Sequence, residues 1–330
     1  MKKGILSFII LLTLIAACSP PVIQEKLVET ISEPVPEQPQ VLPVIEQPKV
    51  QPETKKEELS FDLSIANANP LDFDPAGPFY HKILRATSSD GLSFQEKEVI
   101  FEHTSVPDVL RLEDGRIALY AVDGYGRSKS GLIVAFSEDD GKTWKSGSVQ
   151  LESKAKHMGA ADPEVVLLSN GDIRMYYVIF PQLGDEMQVN EVWSAVSTDG
   201  IHFVEEDGIR FKYQRLTDPD VVTIDNTWFI YFAQGPMLVA ASSPDGKVFT
   251  LNKKIRERGS VSNTVSIDDD KWRQYYCNEG IRTATSSDGL NWKDEAGTRI
   301  TADAGTIVCD PAPLKTEQGW LLFYKVGPQK

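Results

Sequence analysis

The segment SEDDGKTW, residues 137–144, has four shorter relatives elsewhere in the chain. They read SSDGLSF at 88–94, STDGIHF at 197–203, SPDGKVF at 243–249 and SSDGLNW at 286–292. Each contains an Asp-Gly pair with an aromatic residue three positions after the glycine. Glycine supplies positive φ and the aspartate accepts turn N–H groups, so the pair predicts a tight hairpin. We therefore expect five hairpins whose aromatic residues pack between repeats.

Three series of apolar segments accompany these turns, and β-branched and aromatic residues in them predict antiparallel strands. The series directly before the turns comprises residues 83–87, 132–136, 192–196, 238–242 and 281–285. A second, more aromatic series comprises residues 117–122, 173–180, 228–233, 272–277 and 320–326. The third series lies upstream of the second and comprises residues 106–109, 162–165, 218–221, 261–264 and 310–313.

The repeats predict an all-β fold, a five-bladed β-propeller with four antiparallel strands in each blade. Residues 82–101 contain only the last two strands of a blade, and residues 308–326 contain only the first two. Pairing these two ends would complete the fifth blade and close the ring without an unpaired edge. We place the propeller at residues 76–330.

The N-terminal region predicts export and a membrane anchor. A charged start and an apolar run end in Ile-Ala-Ala-Cys18, which resembles a lipoprotein signal over residues 1–17 with Cys18 as the lipidated residue. Residues 18–75 are rich in Pro and Glu, which predicts an extended, unpacked tether. We expect attachment to a membrane at the cell surface or periplasmic face, in an outer membrane where the organism has one.

Charge and cysteine content limit the remaining possibilities. The net charge is −14, with 48 acidic and 34 basic residues, so the overall field disfavours nucleic acid as a partner. Cys277 and Cys309 follow Cys18 in the chain, and they can form a disulfide between neighbouring repeats or remain two thiols. We expect a monomer.

The turns resemble the Asp-box, or bacterial neuraminidase repeat, and SEDDGKTW matches its S-x-D-x-G-x-T-W form. The four shorter turns, the Asp-Pro pairs and the aromatic strands look more like five-bladed furanosidases and xylosidases of the glycoside hydrolase family 43 type. This resemblance implies a propeller and a glycosidase activity on a poly- or oligosaccharide. A sialidase is not expected, because the Arg-Ile-Pro signature of those six-bladed enzymes is missing.

Acidic residues recur where the third series of strands begins, and in a propeller these positions surround the axis. Glycoside hydrolysis requires one carboxyl group as proton donor and another as base or nucleophile. The candidate catalytic residues are Asp108, Asp162, Asp218 and Asp310. The family-43 resemblance implies a base on the first repeat, an Asp on the second and a Glu acid on the third. Asp162 matches this pattern, whereas Val106 and Asp218 stand at the other two positions.

Other groups are candidates for binding substrate at the same face. They are Glu164, Asp220, His103, His157, Asn263, Glu279 and Arg282. No nucleotide-binding loop, His-Glu-x-x-His motif or Cys-pair metal motif is present, so we expect no cofactor or metal site, and an ion on the axis is left open.

Two alternatives remain open. An Asp before Pro can cap a turn or tie neighbouring blades instead of doing chemistry. The whole propeller can be a glycosidase or, alternatively, a non-catalytic module that binds a glycan or a protein.

Overall fold

The computed structural model describes residues 69–153, 159–181 and 188–329, and the regular secondary structure of this part of the chain is almost entirely β-strand. Two short 3-10 turns, Pro70–Asp72 and Pro78–Tyr80, precede the first strand. Within these residues no helix is long and apolar enough to cross a membrane. The tether, the signal and Cys18 lie almost wholly outside the described residues.

The strands form five sheets, which are the blades of a propeller. The first two strands are β1 (Lys82–Ser88) and β2 (Gln95–Glu102). Blade 1 contains β3 (Thr104–Arg111), β4 (Ile117–Asp123), β5 (Leu132–Ser137) and β6 (Lys145–Ser148). Blade 2 contains β7 (Gln150–Glu152), β8 (Ala161–Leu167), β9 (Ile173–Ile179), β10 (Val189–Ser197), β11 (His202–Glu205) and β12 (Phe211–Gln214). Blade 3 contains β13 (Leu216–Ile224), β14 (Thr227–Gln234), β15 (Met237–Ser243) and β16 (Thr250–Arg256).

Blade 4 contains β17 (Ser260–Asp268), β18 (Lys271–Cys277), β19 (Ile281–Ser286) and β20 (Lys293–Asp294). Blade 5 is completed by the last two strands, β21 (Thr306–Thr316) and β22 (Gly319–Pro328), which join β1 and β2 in the order β2-β1-β22-β21. Lys82 pairs with Val326 and Ser88 with Trp320 in an antiparallel register. The predicted fold and its closure by the two ends of the domain are confirmed.

Blade 2 departs from the expected four strands. The short strand β7 adds to its outer edge in parallel with β11, and β12 pairs with β10. The chain leaving blade 1 thus covers the open edge of the next blade, which hides backbone groups that an edge strand would otherwise expose.

The Asp-Gly turns lie on the face opposite the start of the innermost strands, because the first and third strands of a blade run in the same direction. In the short turns the aspartate directly before glycine accepts the turn N–H groups, as Asp90 does from Ser93 at 2.8 Å. In the longer turn Asp139 has this role, accepting from Thr143 at 2.8 Å, while Asp140 is an inserted residue with φ 57°.

A tyrosine of one blade fastens the turn of the next. Tyr120, Tyr176, Tyr231 and Tyr275 donate to the carbonyl oxygens of Gly200, Gly246, Gly289 and Gly91 at 2.9, 2.8, 2.7 and 2.6 Å. At the junction of blades 5 and 1 the equivalent residue is Phe323, which lies in an apolar cluster with Val109 and Leu119. Four turns are thus fastened by a hydrogen bond, and the turn of blade 1 is fastened by the packing of Phe323 on Trp144.

The two cysteines of the propeller form a disulfide, which resolves the alternative that the sequence left open. Cys277 at the end of β18 and Cys309 in β21 have Cα atoms 5.2 Å apart. The bond therefore joins blade 4 to blade 5 beside the propeller axis.

Candidate functional site

The same backbone distortion occurs where each innermost strand begins. One residue in each blade has a left-handed conformation, and the strand register shifts at or beside it, as in a β-bulge. These residues are Val106 (φ 49°), Asp162 (φ 48°), Asp218 (φ 49°), Val261 (φ 53°) and Asp310 (φ 49°). A branched side chain such as valine is a marked outlier at positive φ. Such strain persists where the surrounding structure imposes it, and it is common at functional sites.

The five bulge residues line a cavity at the axis of the propeller. Its volume for a water-sized molecule is about 20 Å³, which is room for about one ordered water. Pro163, Pro219 and Pro311 follow the three aspartates and also line the cavity. The site is therefore a narrow pit with carboxyl groups from blades 2, 3 and 5 at its wall.

Asp162, Asp218 and Asp310 form what we call the aspartate trio, and Lys325 lies among them. Lys325 forms an ion pair with Asp310, and the two side chains are only 12% and 3% exposed. The backbone N–H of Asp218 donates to Oδ2 of Asp162 at 3.2 Å. Oδ1 of Asp310 is buried and accepts no hydrogen bond from the described residues. One carboxylate oxygen of the site is thus left for a ligand or water.

Burial and mutual repulsion change the protonation of this trio. Burial raises the pKa of Asp162 to about 6, and the charge of Asp310 adds to the shift. Burial, together with the charges of Asp162 and Asp310, raises the pKa of Asp218 well above its ordinary value. Burial alone would lower the pKa of Lys325, but the three aspartates raise it. These shifts favour a proton on Asp218 over one on Asp162, and they favour the ammonium form of Lys325.

Two residues after the bulge, Asp108, Glu164 and Asp220 make a second layer with different contacts. Each accepts a backbone N–H from the following blade: Val165 at 2.6 Å, Val221 at 2.8 Å and Thr264 at 3.0 Å, respectively. Asp220 also accepts from the hydroxyls of Ser262 and Thr264, each at 2.7 Å. The sequence left two roles open for these acids, tying neighbouring blades together or catalysis. Asp108, Glu164 and Asp220 make contacts of the first kind.

The second layer closes the pit from below. Asn263 donates to Oδ1 of Asp108 at 2.8 Å and reaches Oε2 of Glu164 at 3.5 Å, which links blade 4 to blades 1 and 2. Burial raises the pKa of Asp108 and of Asp220 to about 6. Burial, with the charges of Asp108 and Asp220, raises the pKa of Glu164 well above its ordinary value. Protonated Glu164 can therefore donate to Asp108.

The remaining candidates have contacts of their own. His103 stacks on Phe79 with ring centroids 4.3 Å apart, and its Nδ1 bonds the Phe79 carbonyl oxygen. Arg282 donates from Nε to the carbonyl oxygen of Asn278 at 3.0 Å, and Glu279 is exposed in the turn before it. Among the described residues, no hydrogen bond or ion pair joins these three side chains to the trio. His157 lies outside the described residues.

Sequence reasoning missed two groups beside the trio, Lys325 and His81. His81 is buried and its Nδ1 bonds the Ser105 hydroxyl at 2.8 Å. Burial, and then the charge of Lys325, lowers the pKa of His81 to about 4. A lysine within the apolar segment WLLFYKV of residues 320–326 was a usable signal for Lys325, whereas nothing around His81 distinguished it.

Across the residues that the structure describes, no group of His, Cys, Asp or Glu is arranged to hold a metal ion. The positive charge beside the trio comes from the chain itself.

No family model matches the sequence, and no curated protein matches it. Solved structures resemble it in fold. A protein of unknown function from Dyadobacter fermentans has 15% identity and a TM-score of 0.54, covering 80% of this chain and 87% of that one. A thermostable family-43 glycoside hydrolase has 16% identity and a TM-score of 0.53, covering 68% and 88%. An endo-1,4-beta-xylanase from Bacteroides thetaiotaomicron has 18% identity and a TM-score of 0.51, covering 66% and 82%.

Proposed function

We propose that this protein is a glycoside hydrolase whose proton transfers take place in the aspartate trio. The observation that carries the proposal is one buried pit in which Asp310 is ion-paired with Lys325, while burial and the charges of Asp162 and Asp310 raise the pKa of Asp218. Glycoside hydrolysis needs this division between a carboxylic acid and a carboxylate. The fold shared with a family-43 glycoside hydrolase and a xylanase supports the choice of reaction.

In this mechanism Asp218 protonates the oxygen of the leaving sugar. Asp310 accepts the proton of the attacking water, because this residue lines the cavity and its Oδ1 accepts no hydrogen bond from the described residues. Asp162 supports Asp218, since its negative charge keeps the neighbouring proton in place. Blade 1 carries Val106 where the family pattern has its base, and blade 5, which adjoins it, supplies Asp310 instead.

The test is a screen of the purified protein against aryl-glycosides and plant and microbial glycans. Asp218→Asn and Asp310→Asn are expected to lower turnover by roughly 10²- to 10⁴-fold, the usual contribution of a general acid or base. Asp270→Asn, an exposed site on the opposite face, is the control and is expected to leave the rate unchanged. Turnover that survives both pit substitutions would refute the assignment.

The size of the pit favours a second candidate, a propeller that binds a glycan or a protein without cleaving it. A cavity of about 20 Å³ holds about one water, so a sugar ring would lie at its mouth. Under this alternative a glycan array gives binding, the products of hydrolysis never form, and Asp218→Asn binds as well as the parent protein.

We also propose that the protein acts on a carbohydrate outside the cytoplasm, held to a membrane by a lipid on Cys18. The basis is the Ile-Ala-Ala-Cys18 ending of an apolar run and the tether that follows. Cells fed a clickable fatty acid are expected to label the protein and to lose the label with Cys18→Ser. A labelled Cys18→Ser variant would place the lipid elsewhere.

A further inference from the structure

Lys325 breaks the repeat pattern at the axis. Strand register equates it with the residues at the same position in the other four blades, which are Val122, Val178, Ala233 and Cys277. None of these four residues is charged, so the sheet itself does not require a lysine there. A buried charge costs several kcal/mol unless it is paired. The reason for a lysine at this position must therefore lie in the groups that it contacts in the site.

Every charged group that faces Lys325 belongs to the pit. Asp310 of β21 forms its ion pair, and Asp218 of β13 and Asp162 of β8 interact with it electrostatically. His81, just before β1, faces it from the remaining side and is neutral at pH 7 because its pKa is lowered to about 4. One ammonium ion thus stands against three carboxyl groups, and it contacts one of them directly.

We propose that Lys325 is a positioning residue, which holds the Asp310 carboxylate at the cavity through a buried ion pair and so assigns to Asp310 the role of base. This inference rests on the proposed function, because it assigns the base of that reaction. The physical cause is distance. The Lys325 ammonium ion contacts the Asp310 carboxylate directly, whereas it interacts with Asp218 and Asp162 without an ion pair.

A purely structural ion pair is the competing explanation, and it predicts different behaviour. Its loss would lower stability but leave the order in which the carboxyl groups titrate unchanged. A positioning role instead changes which group holds the proton. The decisive measurement is therefore a titration and not a melting temperature.

The experiment compares Lys325→Met, Lys325→Arg and the parent protein, with Lys82→Met as the control. Lys82 pairs with Glu102 on the exposed face of blade 5. Carbon-13 NMR follows the aspartate carboxyl groups, and Asp310→Asn identifies the signal of Asp310. The Asp310 midpoint is expected to rise by about 1 to 3 pH units in Lys325→Met and to return near its parent value in Lys325→Arg. Lys82→Met should not move it.

The pH dependence of turnover gives a second reading. Its acidic limb reports the ionisation of the base, so it is expected to move to higher pH in Lys325→Met by the same amount. If the parent protein cleaves no glycan while the Asp310 midpoint still moves, the proposed function fails and the role of Lys325 stands. An unmoved midpoint in Lys325→Met overturns the inference whatever the activity. Should that variant not fold, Asp310→Asn must lower the pKa of the Lys325 amino group, and an unchanged value also overturns it.

Discussion

At the scale of single residues, the two acidic layers have the same chemistry but different partners. Asp218 lines the cavity, whereas Asp220, two residues later, is fully buried and accepts hydrogen bonds from Ser262 and Thr264 of blade 4. Removing a buried acceptor leaves its donors unsatisfied, which costs free energy for each of them. The two aspartates should therefore respond oppositely to substitution.

We expect Asp220→Ala to lower the free energy of unfolding by roughly 2 to 5 kcal/mol, because it leaves several buried donors without an acceptor. Asp218→Ala should cost less than about 1 kcal/mol and remove function instead. Urea denaturation measures both. Equal losses of stability would mean that the layers do not differ as described.

The pH dependence of stability follows from the buried acids. Burial raises the pKa of Asp108, Asp162 and Asp220 to about 6 in the folded protein. The folded state then binds more protons than the unfolded state, so the stability these groups contribute is complete below about pH 4 and is lost as the pH rises through 6. The contribution of His81 has the opposite sign, since it is lost as the pH falls from about 6.5 to 4. It is a single group, so the three acids outweigh it.

The turn aspartates limit stability at the acid end. The backbone N–H groups of Ser93 and Leu92 lower the pKa of Asp90 to about 2, so its contribution is lost as the pH falls from about 4 to 2. We expect the melting temperature to be highest near pH 4 to 5 and lower at both pH 7 and pH 2.5. A melting temperature that rises steadily from pH 4 to pH 7 would contradict the burial of these acids in the folded state.

At the scale of elements, the innermost strand and the strand that follows it together join neighbouring blades. The tyrosine of the following strand stands across from the second-layer acid, Tyr120 opposite Asp108 and Tyr176 opposite Glu164. Each such pair of residues contacts the next blade twice, by a side chain to a turn carbonyl and by a carboxylate to a backbone N–H. Blade 5 has Phe323 opposite Ala312 and lacks both contacts.

Tyr120→Phe is expected to lower the free energy of unfolding by about 1 kcal/mol, since the Gly200 carbonyl loses a buried donor. Phe136→Leu, a change of shape in the same cluster without a polar loss, provides a comparison by the same denaturation measurement. A Tyr120→Phe variant as stable as the parent would show that the hydroxyl does not hold the blades.

At the scale of the whole molecule, the ring is closed by two devices at one region. The strand pair β1 and β22 joins the ends of the described propeller, and the Cys277–Cys309 disulfide fastens blade 4 to blade 5. Asp310 directly follows Cys309, and its N–H lies 3.2 Å from the sulfur of Cys277. Closure of the ring and placement of the proposed base therefore depend on the same few residues.

We expect the double variant Cys277→Ser, Cys309→Ser to lose about 2 to 4 kcal/mol of stability, the usual effect of removing such a crosslink. Cys18→Ser, which leaves the disulfide in place, is the matched control. Unchanged stability in the double variant, measured by urea denaturation, would show that the strand pairing alone closes the ring.

The sequence by itself determined the architecture of this protein, because its signals are local. Asp-Gly turns, alternating strands and the two half-blades at 82–101 and 308–326 are each readable within a few residues, and they sufficed for five blades and their closure. The common location of Asp162, Asp218 and Asp310 around the axis also followed from the sequence, because the three residues occupy the same position in their repeats.

Only the tertiary structure decided which backbone groups each acid binds. Asp162 and Glu164 both line the pit, but on either side of the left-handed bulge they accept different N–H groups of blade 3, those of Asp218 and Val221. The tertiary structure also places Lys325 and His81 beside the trio. Electrostatic interaction depends on separation in space, so Lys325 acts on Asp218, Asp162 and His81 although each is more than 100 residues away in the sequence.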